Sequence, residues 1–133
     1  MRQMKTYTPL WAFFVLVLFL SNCSSPVKVM ETGDYDEAIG MAIQRLAGKK
    51  EKKEDLVRTL EDAFEKATAR DMEMADRLKA SGRPEDWERV YEVYQRIEAR
   101  QARIEPLLPL YDRVGNQANF RFVRTDGLKK EAQ

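Results

Sequence analysis

Cys23 is the single thiol of a 133-residue chain that contains no histidine. A lone thiol can be acylated or oxidised, but it forms no internal disulfide. Without histidine the chain lacks every His-based catalytic arrangement and most zinc sites. Three further groups of side chains sit at spacings that could do chemistry. Glu85, Glu88 and Glu92 could serve as paired carboxylates for acid–base work. Trp87, Tyr91 and Tyr94 could form an aromatic platform for a glycan or a peptide. Arg96, Arg100 and Arg103 form a stripe that could touch anionic lipid headgroups or cell-wall carboxylates. Each group also has a plainer reading. Aromatics at i, i+4 and i+7 are what a packed helix face needs. The arginines can be solvated and paired with Glu92 and Glu98, and glutamate is common wherever helix propensity is high. No glycine-rich phosphate loop or nucleophile elbow accompanies them. The plainer readings are preferred, and no cofactor or metal is expected.

The surroundings of Cys23 are more specific. Arg2 and Lys5 precede "LWAFFVLVLFL", residues 10–20, which carries no polar atom outside the Trp11 indole. A charged segment followed by such a run has the layout of a secretory signal. Eleven helical residues reach roughly 16 Å, about half of a ~30 Å hydrocarbon core, so the run is short for a membrane span. Leu20-Ser21-Asn22-Cys23 resembles the bacterial lipobox, in which a leucine stands three residues before the modified cysteine; Asn22 replaces the usual small residue. The resemblance implies lipid transfer to the Cys23 thiol, cleavage before Cys23, and acylation of the new amino group. An ordinary signal peptide or membrane anchor is the alternative. Ser24 leaves out the acidic residue that often retains lipoproteins in the inner membrane, which favours the outer membrane. Residues 1–22 are therefore expected as a lipoprotein signal peptide. The remaining chain has 21 basic and 22 acidic side chains, a balance that argues against a nucleic-acid binder.

What must position these groups is helical. "SSPVKVMET", residues 24–32, has little pattern and reads, with Cys23, as a lipidated tether over 23–32. Asp34 and Glu37 make a capping pair ahead of Ile39, Ala42, Ile43 and Leu46, which predicts a helix near 35–47 closed by Gly48. "KKEKKED" links it to a long helix from about Glu54 to Ala80, whose apolar stripe runs through Leu56, Leu60, Ala63, Phe64, Ala67, Met74, Ala75 and Leu78. Asp71 interrupts that stripe. Pro84 is read as the first residue of a third helix, with Trp87, Val90, Tyr91, Tyr94, Ile97, Gln101 and Ile104 inward and Pro106 as its stop. Residues 111–133 read as an irregular or truncated tail.

Gly33-Asp34-Tyr35 and Ala38 are similar to the second half of a tetratricopeptide repeat, where a glycine ends one helix and Tyr and Ala pack the next. Ser81-Gly82-Arg83-Pro84 through Trp87 and Tyr94 is a second echo. The two glycines lie 49 residues apart, not the 34 of a regular repeat. The resemblance implies an all-α fold: a repeat-like helical hairpin of about three helices over 33–110, plus a short C-terminal segment. The chain also resembles the amino-terminal portion of larger helical lipoproteins of diderm bacteria, as a truncated copy would.

The expected function is a lipid-anchored, non-catalytic helical scaffold for protein contacts in the cell envelope. An envelope enzyme such as a small cell-wall hydrolase, or a truncated module without separate activity, is the alternative. Because "PLLPLY" and Phe120-Arg121-Phe122-Val123 leave apolar groups with few evident partners, pairing with a second copy or another envelope protein is expected.

Overall fold

A computed structural model describes residues 24–133, so the expectations for Cys23 and the signal segment lie outside the described residues. The described part is helical. Helix α1 spans Pro26–Glu31, α2 Tyr35–Leu46, α3 Glu54–Ala80, α4 Asp86–Ile104 and α5 Thr125–Glu131, with a 3₁₀ turn at Glu105–Leu107.

The expected tether is instead α1. The Ser25 side chain caps it by accepting from the Lys28 amide, and Pro26 occupies its first turn. Six residues cannot hold a helix in water by themselves. Burial of Pro26 and Val29 against the core holds this one. Gly33, at φ +85°, then turns the chain into α2, a backbone region that residues with a Cβ rarely visit.

Helix α3 is the central element, with α2 and α4 packed on it. Both pairs are antiparallel. Arg70 on α3 reaches back to Gly33 and Asp36 at the start of α2, and Asp71 meets Arg96 and Arg100 across the α3–α4 turn. That turn differs from expectation. Pro84 lies outside α4, which starts at Asp86. The Asp86 carboxylate is buried and accepts from the Ser81 hydroxyl (2.6 Å) and the Arg83 and Arg89 guanidinium groups (2.9 and 3.2 Å). These hydrogen bonds, Ser81 first and Arg83 next, hold its pKa below the ordinary value against burial. Asp86 is thus the organiser of the turn.

The expected tail is also part of the fold. Leu110 and Ala118 are buried, and the Ala118 amide donates to the Leu110 carbonyl across a small hairpin. The Gln101 amide pairs with both the N–H and the C=O of Val123, as a neighbouring strand would. Helix α5 then packs on α4, with Thr125 and Ala132 buried. Leu107 and Leu110 of "PLLPLY", and Phe120, therefore find partners within the chain, while Pro106, Leu108, Pro109 and Tyr111 of that first segment are exposed.

Trp87 is half-buried beside Val90 and Tyr94 rather than enclosed. Its truncation should cost less than the ~3–5 kcal/mol typical of fully buried aromatics. Thermal melts of Trp87→Ala and Phe64→Ala should rank Phe64→Ala as clearly the less stable. The reverse order would place Trp87 in a core it does not occupy here.

Candidate functional site

The buried residues fall into two apolar clusters. One joins α1, α2 and the first half of α3 with Ile104, Leu110 and Ala118. The other joins Ala75 on α3 to Val90, Val93, Tyr94 and Ile97 on α4 and to Ala132. Between them lies a polar layer built from Asp71, the residue that interrupts the α3 stripe, and Arg100, which sits between Ile97 and Ile104 on the inward face of α4. Arg100 is 2% exposed and Asp71 is 2% exposed, so both ions are out of water.

The geometry of this layer is ordered. Arg100 Nη2 donates to Asp71 Oδ2 at 2.7 Å, and Arg100 Nε donates to Asp36 Oδ1 at 2.7 Å. Arg96 grips Asp71 from the solvent side, with its shortest hydrogen bond at 2.8 Å. Arg70 approaches Asp36 at 3.9 Å and stacks over the Tyr35 ring. Three helices are thereby tied at one level. The Arg100 hydrogen bond is the main reason the Asp36 pKa lies below its ordinary value, and burial opposes it. Burial likewise opposes the Arg100 charge, but its hydrogen bonds to Asp36 and Asp71 outweigh that and raise its pKa. Among the described residues Arg100 Nη1 has no hydrogen-bond partner.

The basic stripe is therefore not a solvated surface paired with Glu92 and Glu98. Arg100 is sealed in the polar layer. Arg96 is exposed but engaged with Asp71. Arg103 lies over α2, where a Cβ added at Gly40 would stand 3.0 Å from its Nη2. The aromatic platform does not form either. Tyr94 is wholly buried, and Trp87 and Tyr91 pack half-buried against the second cluster. Glu85, Glu88 and Glu92 are exposed. Among the described residues no group of three or more potential ligands is placed to hold a metal, and no helix is long and apolar enough to cross a membrane.

What the sequence did not suggest is a groove. Segment 112–123 runs beside α3 and leaves two hollows that share Glu61. The larger, about 450 Å³, is lined by Glu61, Asp62, Glu65, Thr68, Asn119 and Arg121, with Phe64 at its base. The smaller, about 310 Å³, is bounded by Glu54, Arg58, Asp112 and Gln117. Glu61 accepts the Asn119 amide at 2.6 Å and so ties one wall to the other. Phe120 meets Phe64 edge to face at 5.4 Å, and Phe122 meets it at 5.8 Å while remaining 41% exposed. The Thr68 hydroxyl is buried there without a hydrogen-bond partner among the described residues. An apolar base under a mostly acidic rim suits a segment carrying apolar and basic side chains. The signal for it was the unassigned "FRFV" run, whose partner on α3 lies 56 residues earlier and so is invisible to local pattern.

Compared with protein-family models, with curated proteins and with solved structures, the chain matches none of the three.

Proposed function

We propose that the protein is a lipid-anchored, non-catalytic helical scaffold of the bacterial cell envelope, in the outer membrane rather than the inner, that holds a protein partner close to the membrane. The observation that carries this reading is Leu20-Ser21-Asn22-Cys23 behind an apolar run, with α1 starting only three residues after Cys23. A body attached that closely cannot stray far, because three residues span at most ~11 Å. Three acyl chains on one residue exceed the two-signal threshold for stable anchoring. The catalytic inventory is poor, with no histidine and one cysteine already assigned. The repeat-like reading draws support from the α1–Gly33–α2 and α3–Gly82–α4 connections, whose glycines both sit at positive φ. The groove along α3 is the proposed contact surface.

Growing cells with a labelled fatty acid should label the protein. Cys23→Ala should abolish the label and leave a longer, unprocessed chain, whereas equal labelling of the variant would remove the anchor. For the scaffold, a photo-crosslinking side chain placed at Phe122 should trap a discrete protein adduct in intact cells. The same group at Glu88, exposed on α4, should not. Equal patterns at both positions would remove the groove from the account.

A further inference from the structure

The described chain begins on a basic end of the molecule. The Ser24 carbonyl, one residue after Cys23, accepts from Arg45 Nη2 at 3.0 Å, which ties the anchor point to the C-terminal end of α2. The loop that follows is the most basic stretch of the chain. Residues 45–53 hold five cationic side chains and one carboxylate, Glu51, although the chain after the signal segment is close to neutral. Lys52 is occupied, since its ammonium donates to the Leu46 and Lys49 carbonyls at 2.9 and 3.0 Å and closes the end of α2. Lys49, Lys50 and Lys53 are exposed. Arg45, Lys49 and Lys53 line a cleft of about 570 Å³, which also receives Glu51 and Asp55. Val27, four residues after Cys23 and three after the Ser24 carbonyl that Arg45 holds, is an exposed apolar side chain.

We propose that this end, Arg45 with Lys49, Lys50 and Lys53, lies against the anionic headgroups of the bilayer that holds the anchor, with Val27 at the acyl boundary. The inference rests on the lipid-anchor reading. Its physical basis is charge complementarity at forced proximity: a surface tethered within a few residues of a negatively charged interface meets it at high local concentration, and basic side chains near such an interface are attracted within about a Debye length. The larger hollow of the groove begins at Glu61, about two turns along α3 from this end, and stays accessible.

The test uses the protein as extracted from cell membranes, its Cys23 peptide read by mass, reconstituted in vesicles of phosphatidylcholine alone or with a third of phosphatidylglycerol. A water-soluble amine reagent reads each lysine by peptide mass. Lys49, Lys50 and Lys53 should label severalfold more slowly on the phosphatidylglycerol vesicles at low salt, and high salt should abolish the difference. Lys66, exposed on α3, should label alike on both. A chain with Lys49, Lys50 and Lys53 changed to Gln should lose any preference between the vesicles in protease protection of the 49–53 loop. Equal lysine labelling on the two vesicles, with the chain retained by both, overturns the basic-face contact and leaves the anchor standing. A chain that carries no lipid on Cys23 and separates from both vesicles overturns the anchor itself, and this placement with it.

Discussion

Arg100→Ala should lower the stability of the protein by about 3–5 kcal/mol, the cost of removing one partner of a buried ion pair. Small domains hold only about 5–15 kcal/mol in all, and 1 kcal/mol shifts the melting temperature by roughly 4 °C in a chain of this size. The expected drop is therefore on the order of 12–20 °C. The cost arises because Asp71 is left buried and Asp36 loses its main donor. Arg96 still reaches Asp71, which keeps the effect toward the lower end. Replacing Arg100 and Asp71 together by Met and Leu should recover much of the loss, since apolar isosteres of buried ion pairs are often neutral or better. The loss should also depend on pH. A carboxylate whose folded pKa lies below its unfolded value stabilises the fold at pH values above the unfolded one. That contribution disappears as pH falls through the folded value. For Asp36 the ordinary value is 3.8 and the folded value is lower. The gap between wild type and Arg100→Ala should thus be constant near neutrality and narrow below about pH 4. A gap that is unchanged down to pH 2 would mean that Asp36 takes no part.

Phe64→Ala should be comparably damaging, at about 3–5 kcal/mol. The ring is 2% exposed and sits under both Phe120 and Phe122. Edge-to-face pairs add about 0.5–1.5 kcal/mol beyond area. The effect has a local signature. Segment 117–123 is held to α3 by these rings and by Glu61, so its amides should exchange faster with solvent in the variant. The Asp71–Arg100 layer, packed between the other helices, should keep its protection until global unfolding. Uniform loss of protection along the whole chain would show that the rings support the fold generally and not the groove wall.

How far the sequence reached differs by element. Helices α2 and α3 were legible nearly to the residue, α2 because the Asp34 cap and the closing Gly48 agree with its apolar spacing, α3 because its apolar stripe is long. Helix α1 was not, although Ser25 and Pro26 are a cap and a first-turn proline. Six residues show less than two turns of pattern, and what stabilises them is contact with elements further along the chain. The C-terminal part failed for the same reason. Val123 is bonded by Gln101, and Phe120 by Phe64, across separations that no local window spans. Asp71 was visible as an interruption of the α3 stripe, and Arg100 as one member of a basic stripe. Their meaning needed both at once: opposite charges at matching depth on two antiparallel helices, dividing the core into two clusters. Reading the arginines as a surface stripe followed from their i, i+4, i+7 spacing alone, which does not say which way that face turns.

In the proposed anchor, Cys23 becomes the lipid-bearing first residue of a helical body that begins almost at once. Intact mass spectrometry of the detergent-extracted full protein, followed by the mass of its amino-terminal peptide, tests it most directly. The expected result is a chain lacking residues 1–22 whose first residue is Cys23 carrying a diacylglyceryl group on sulfur and an acyl group on nitrogen. A chain retaining residues 1–22, or one cleaved near Cys23 with an unmodified thiol, would contradict it.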